Sequence, residues 1–487
     1  LEHKLATFGD IVYGTCRDAY GVKQPKVKTP PQKSRRQREM DKIRLEKRNL
    51  KKQMKAASNF EKHGLAKLWN DLKAKHSALS KAESARKRRS KKKKTQEHFF
   101  RDPFQFARKL FEQPKSGTLT VDKDVLEQHL RKTYSDLQSK VPLEIQGLVW
   151  PSEPEEAFND KPPTLDEVQK VVKKARAKSS PGPNGIPYLL YKKCPHVLAW
   201  LHKLIRSAWR NLKITDQWMI ADGVYIPKEQ NSSDISQFRP ISLLNVEGKI
   251  FFSVMARRLT KYLIENKYLD VSVQKGGIPG VPGCVEHATM IWDAIQRAKA
   301  EKKDLDVVWL DLANAYGSVP HKMIQLALEM HHVPKNIQEM LKKYFDGFLM
   351  RFSLKEYTTD WINLEVGIAM GCAISPILFV LAMEVILKAA VSNAGPADLG
   401  NGYTMPPLKA FMDDTTVLST KEEETHKILK QLDQLVASSR MKFKPKKSRS
   451  LSLRKGKVAE TITFTVANQA IPTVTEEPVK SLGRWYD

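Results

Sequence analysis

Two adjacent carboxylates, Asp413 and Asp414, stand in the stretch Phe411-Met412-Asp413-Asp414-Thr415-Thr416-Val417-Leu418, flanked on both sides by apolar or β-prone residues. This pattern predicts a β-hairpin with both acids at its tip. Like charges held so close repel one another, so the turn is costly unless a cation neutralises it. On this stretch alone an ordinary Asp-Asp turn remains an equal reading. Far upstream, Val307-Val308-Trp309-Leu310 is a continuous apolar run suited to a central strand, and it delivers Asp311 where that strand meets solvent. Three acids gathered from such distant segments could hold a hard divalent cation; magnesium takes one or two carboxylates and completes its shell with substrate phosphates. Two ions about 3.5 to 4 Å apart serve phosphoryl transfer, one activating the attacking hydroxyl and the other stabilising the leaving group. In that chemistry Asp311 and Asp413 would bridge both ions and Asp414 would assist.

The elements that must position these acids are legible nearby. Ser318 and Pro320 offer a helix start just after Asp311, and Met323, Ile324, Ala327 and Leu328 form a helical stripe. The unit reads as strand, acid, short turn, helix. Earlier, Thr164 and Glu167 form a capping-box signature ahead of Val168, Val171, Val172 and Ala175, and that helix should stop in the turn-rich run from Ser179 to Gly185. The longest apolar stretch, Ile374 to Val391, contains Glu384 and Lys388. A charge at a bilayer centre costs roughly 2.5 to 3.5 kcal/mol, so a buried helix is expected there and no membrane partner.

From Lys23 to Lys94 the chain is dominated by Lys, Arg, Glu and Gln with sparse apolar residues, which supports exposed helices. Within it Arg86, Lys87, Arg88, Arg89, Lys91, Lys92, Lys93 and Lys94 are interrupted only by Ser90. Such a run can grip phosphates, direct nuclear import or serve as a solvated tether. Residues 98–163 carry short helical patterns and end in a Pro-rich linker from Pro151 to Pro163.

The whole chain has 487 residues, 83 Lys+Arg against 54 Asp+Glu and a formal charge of +29. With 41% hydrophobic content it can bury a sizeable core, which excludes a wholly disordered chain, and the charge favours a polyanionic partner, nucleic acid first. Cys16, Cys194, Cys284 and Cys372 are scattered with no zinc or disulfide pattern, favouring a reducing compartment. His321, His331 and His332 likewise lack a third ligand at zinc spacing, and Trp209, Trp218, Trp292 and Trp361 have neighbours that suit core packing. The chain starts at Leu1 and reads as a fragment without a secretory signal.

Taken in order, these segments resemble the motifs of reverse transcriptases, most closely those of non-LTR (LINE-like) retrotransposons, from about Thr164 to the end. Lys178-Ser179-Ser180-Pro181-Gly182-Pro183-Asn184-Gly185-Ile186-Pro187 is similar to a fingers stretch of the family, and Tyr225-Ile226-Pro227-Lys228 with Phe238-Arg239-Pro240-Ile241-Ser242-Leu243-Leu244-Asn245 resembles its fingers strand and FRPISL motif. Asp311-Leu312-Ala313-Asn314-Ala315-Tyr316 matches the first palm motif, Gly367-Ile368-Ala369-Met370-Gly371-Cys372-Ala373-Ile374-Ser375-Pro376 the second, and Phe411-Met412-Asp413-Asp414 the polymerase hairpin. Met441-Lys442-Phe443-Lys444-Pro445-Lys446-Lys447-Ser448 looks like the lysine-bearing motif that follows, and Ser481-Leu482-Gly483-Arg484 like the primer grip.

The resemblance implies an α+β right-hand polymerase fold: fingers and an antiparallel palm sheet with helices on one face, after a basic helical extension and without a thumb. The expected division is an extension over 1–97, a connector over 98–163, fingers and the start of the palm over 164–300, and palm over 301–487. Asp311, Asp413 and Asp414 would be catalytic, and with Leu312 would form the surroundings of two Mg2+ ions, for which Mn2+ could substitute. Lys228, Arg239, Ala315, Tyr316, Met370, Gly371 and Lys447 would face the incoming nucleotide, with Arg239 on the triphosphate, Tyr316 excluding a 2′-hydroxyl and Lys447 protonating the pyrophosphate. Leu482 and Gly483 would form the primer grip, and the Arg86 to Lys94 run would bind nucleic acid. The partners implied are an RNA template, a DNA primer or target and deoxynucleoside triphosphates, with oligomeric state unspecified; a nucleus is expected, with RNA-protein assembly in the cytoplasm. The family usually has Gln at Met370 and an acid at Gly317, and these departures keep a second reading open: a decayed or repurposed nucleic-acid-binding protein with the same fold.

Overall fold

The computed structural model describes every residue except 22–32, 112–114, 279–280 and 282, so the start of the expected Lys-rich segment lies outside the described residues. The chain divides into two compact units: residues 1–20, 118–227 and 233–487 form the larger, and residues 21–117 with 228–232 the smaller. This division falls elsewhere than the expected boundary at residue 97. The first helix, Glu2–Tyr20, joins the larger unit because Leu5 is buried in its core.

The centre of the larger unit is a five-stranded antiparallel sheet in the order β11-β10-β3-β9-β8, where β3 is Leu305–Leu310, β8 Leu408–Phe411, β9 Asp414–Ser419, β10 Arg449–Arg454 and β11 Lys457–Val458. All six residues of β3 are buried. Side chains alternate across a strand, so Val308 and Leu310 enter a core shared with the helix Ser375–Ala390, while Leu305, Val307 and Trp309 enter a second core with the helix Cys284–Ala300. Helices therefore cover both faces. This corrects the expectation of one covered face: the unbroken apolar run Val307 to Leu310 needs cover on each side.

A second sheet, order β2-β1-β4-β5, combines β1 (Ile220–Pro227) and β2 (Phe238–Leu244) with β4 (Leu349–Phe352) and β5 (Ile362–Asn363). β1 and β4 pair in parallel, so a strand from beyond Asp311 returns to this sheet. Residues 164–300 and 301–487 are thus interleaved rather than consecutive blocks. Three small hairpins complete the strands: β6 (Ala397–Asp398) with β7 (Thr404–Met405), β12 (Thr465–Val466) with β13 (Gln469–Ala470), and β14 (Val479–Ser481) with β15 (Arg484–Tyr486).

Two sequence features act as anchors. The turn around Asn184 docks on the N-terminus of the helix Val246–Glu265: Asn184 donates to the Asn245 Oδ1 and Glu247 Oε2 atoms, both at 3.0 Å. A Cβ on Gly182 would lie 2.3 Å from the Asn245 nitrogen, so the loop sits flush against the end of β2 only because Gly is there. The smaller unit holds the helices Arg35–Ala56 and Asn59–Arg101; Arg86 to Lys94 lie exposed within the latter. No helix among the described residues is long and apolar enough to cross a membrane, and the stretch from Ile374 is a buried helix with Glu384 paired to Lys388 at 3.4 Å.

The capping box at Thr164 forms as expected, and its Glu167 also makes a two-bond pair with buried Arg258 at 2.8 Å. Desolvation pushes the Glu167 carboxyl up, but the Arg258 and Thr164 hydrogen bonds pull it from 4.5 to about 2. Its folded value is below the unfolded one, so the stability it contributes is present above pH 4.5 and is lost as pH falls towards 2. Glu167→Gln should lower urea-derived stability near neutral pH by on the order of 1 to 2 kcal/mol, solvent screening reducing what the shift alone implies, with the difference from wild type vanishing in acid.

Candidate active site

The two-residue turn Met412-Asp413 joins β8 to β9, with Phe411 paired to Asp414. Met412 carries φ 61°, the sign that tight hairpins need at their first tip residue for the strands to keep their twist. Next to it, Leu310 on β3 pairs with Thr415. The ladder ends at that pair, so Asp311, which follows Leu310, and Asp414, which precedes Thr415, leave it at the same end of the sheet. The predicted strand-acid and hairpin units thus meet at one end of the central sheet.

The acids feel each other. Asp311 is shifted upward by desolvation, opposed by Lys444 and Lys447. Asp413 is also raised, first by desolvation and then by Asp311, while its own backbone N–H, Arg239 and Lys444 pull the other way. Asp414 is pushed up to about 6 by desolvation, Asp413 and Asp311. Asp414 is exposed by area, so the neighbouring charges are the firmer of its causes. Among the described residues no group of three His, Cys, Asp or Glu side chains is placed to hold a metal ion. The donor set still fits magnesium, which takes few carboxylates and fills its shell with water and phosphate. Asp311 and Asp413 are the side chains that would hold it, next to the backbone of Leu312.

Around the acids the backbone is tightly constrained. Asp311 N–H donates to Ser448 Oγ at 3.2 Å, its carbonyl accepts from Lys444 N–H at 2.8 Å, and Lys444 Nζ stands 3.9 Å from its carboxylate. Lys447 belongs to the short turn Pro445–Lys447 beside it. Asn314 adopts φ 48° and starts the short helical turn that carries Ala315 and Tyr316. The Tyr316 ring stacks on buried Phe379 at 5.0 Å and 9°, and the Asp413 charge helps raise its phenol, after desolvation.

Gly317 has a local reason. A Cβ there would meet the Asn314 side chain at 2.3 Å, and a Cβ on the facing Gly367 would lie 2.7 Å from Gly317 Cα. Met370 holds the strand β2 through its carbonyl, which accepts from Ser242 N–H at 2.7 Å. Gly371, with φ 130°, leaves no room for a side chain against the Ser242 carbonyl. Arg239, exposed on the same strand, reaches the site as a charge acting on Asp413.

Leu482 and Gly483, with φ 48° and 89°, turn the β14–β15 hairpin, and Leu482 O accepts from Cys284 Sγ at 3.3 Å. Lys228 and the run from Arg86 to Lys94 belong to the smaller unit. His321, His331 and His332 are each in hydrogen-bond contact with a backbone carbonyl.

A family profile described as reverse transcriptase (RNA-dependent DNA polymerase) matches residues 226–485, more than half of the chain. The chain belongs to the reverse transcriptase family. Its relatives include the Retrovirus-related Pol polyprotein from type-1 retrotransposable element R2 of Nasonia vitripennis, 25% identical over 64% of this chain and 30% of that protein. Another is the type-2 retrotransposable element R2DM polyprotein of Drosophila melanogaster, 23% identical over 61% of this chain and 27% of that one. The type-1 retrotransposable element R1 polyprotein of Bradysia coprophila is 26% identical over 53% and 24%. The chain thus spans less than a third of the length of these polyproteins. They bear out the likeness to non-LTR retrotransposons, and the family implies a palm around the central sheet and fingers around the second.

Sequence reasoning missed three contributors. Lys444 lies in the same motif as Lys447 and is the lysine nearest Asp311, but its spacing alone did not distinguish it. Ser448 and Asn314 act on the backbone, for which the sequence carries little signal.

The repulsion has a measurable sign. Asp414 rises from 3.8 to about 6 on folding, so its charge opposes folding increasingly as pH climbs across that window. In EDTA near pH 8, Asp414→Asn should melt at or above wild type, with no difference in acid below the window. Added Mg2+ should raise the wild-type melting temperature more than that of the variant.

Proposed function

We propose that the chain is an RNA-directed DNA polymerase that extends a DNA primer on an RNA template with deoxynucleoside triphosphates. The reading is carried by one observation: Asp311, Asp413 and Asp414 stand at the same end of the central sheet, where the Asp311 charge raises Asp413 and both raise Asp414. Two bound Mg2+ ions, or Mn2+ in their place, would supply the charge that activates the primer hydroxyl and stabilises the leaving pyrophosphate. The chain's own residues do the rest. Arg239 presents its guanidinium to the triphosphate, and the turn at Met370 and Gly371, bonded to Ser242 on the Arg239 strand, aligns the nucleotide. Tyr316, fixed by Phe379 and carried with Ala315, blocks a 2′-hydroxyl. Lys447, with Lys444 beside Asp311, faces the departing phosphate.

The hairpin turn at Leu482 and Gly483 suits a primer grip; Trp485 next to it is 59% exposed and Arg484 stacks on Trp292 at 3.7 Å. The exposed cations from Arg86 to Lys94 would add sequence-independent affinity for nucleic acid phosphates, weakening steeply with salt. We further propose that the chain copies an element's own RNA in a target-primed reaction and resides in the nucleus after assembly with that RNA in the cytoplasm. The alternative of a decayed protein loses part of its motive, since Gly317 is matched to Asn314 and Gly367.

Primer extension on an RNA template with Mg2+ is the test. Asp413→Ala should reduce the rate more than about a hundredfold, as loss of a transition-state charge partner does; equal product from both would refute the reading. Tyr316→Ala should admit ribonucleotides at least about tenfold better, a change readable as the ratio of kcat/KM values for the two sugars.

A further inference from the structure

The segment Gln274-Lys275-Gly276-Gly277 belongs to none of the motifs above, yet it wraps the tip of the catalytic hairpin. Val273 to Lys275 run parallel beside β8: Ala410 N–H donates to Val273 O at 2.8 Å, and Lys275 N–H to Ala410 O at 3.1 Å. Gln274 is 0% exposed. Its Oε1 accepts from Met412 N–H and from Gly276 N–H, both at 3.0 Å, and its Nε2 donates to Met412 O at 3.3 Å. One amide therefore satisfies both backbone polar groups of the residue that precedes Asp413. Of the side chains that never ionise, only Asn or Gln offers a donor and an acceptor side by side in this way, and Asn is one carbon shorter.

Met412 needs such a hold. Its φ of 61° is a conformation that residues with a Cβ avoid, so its neighbours must fix it. The glycines close the other side. A Cβ on Gly276 would stand 2.3 Å from Met412 N, and one on Gly277 2.3 Å from Met412 Sδ. The tip of the hairpin is thus seated against backbone rather than against movable side chains.

We propose that Gln274 is a positioning residue of the polymerase site: its buried amide, clasped on both polar groups of Met412, fixes the turn that aims Asp413 and Asp414. The consequence for catalysis rests on the polymerase reading. The clasp itself does not. Gln274→Met keeps the bulk and removes all three bonds, whereas Gln274→Glu, its carboxyl held protonated by burial, keeps an acceptor and a donor against Met412 but adds a group that can ionise.

Hydrogen exchange of the 408–419 segment in the full chain, read by mass spectrometry beside primer extension over a Mg2+ titration, separates the possibilities. Gln274→Met should exchange this hairpin about tenfold faster, lower kcat by about tenfold or more and raise the half-saturating Mg2+ several-fold, with nucleotide KM nearly unchanged. Gln274→Glu should fall between it and wild type. Measurements well below each variant's melting temperature keep loss of folded protein out of the comparison. Wild-type hairpin exchange and Mg2+ requirement in Gln274→Met, or equal losses in both variants, would overturn the proposal. A wild-type chain that extends no primer would remove the polymerase reading, and hairpin exchange would still decide whether Gln274 holds the turn.

Discussion

Repulsion where the Asp311, Asp413 and Asp414 charges converge is the constraint that the end of the central sheet has to withstand. Nothing about the acids themselves draws them together. What brings them together is apolar: β3 is buried along its whole length between two cores, and β9 must lie beside it in the register that sets Leu310 opposite Thr415. A one-residue slip would turn every side chain of β9 to the opposite face, exchanging the contents of the two cores. Hydrophobic burial thus fixes the acids' position, and their charge is what remains for a cation to neutralise.

The surroundings leave these acids little freedom to part. Gly317 against Gly367, Gly371 against Ser242 and Gly276 against Met412 are all places where backbone approaches too closely for any side chain. Such contacts do not relax by rotamer change, so the turns they seat are held more rigidly than loops packed by long side chains. Positive φ at Asn314 and Met412 falls within the same region. Local strain here accompanies tight seating from several directions, as expected where geometry matters more than local stability.

Much of this was legible in the sequence where the chemistry is local. The apolar run before Asp311, the β-prone residues around Asp413 and the Thr164 capping box each became the element their pattern predicts. The sheet order was not legible, because the parallel pairing of β1 with β4 joins segments on opposite sides of Asp311 and leaves no local trace. Cover on both faces of the central sheet was implied by the unbroken run in β3, but the likeness to the family suggested one face. Gln274 escaped notice for a different reason. A buried amide bonded to backbone has no periodicity and no partner side chain whose type could betray it.

The central claim is that the three acids hold divalent cations at the end of the sheet. It is tested most directly by anomalous diffraction from crystals of the chain grown with Mn2+, an RNA template, a chain-terminated DNA primer and an incoming deoxynucleoside triphosphate. Manganese peaks within coordination distance of the Asp311 and Asp413 carboxylates, close to Asp414, are the result the account predicts. Manganese absent from these carboxylates, or bound to the triphosphate elsewhere on the chain, would contradict it.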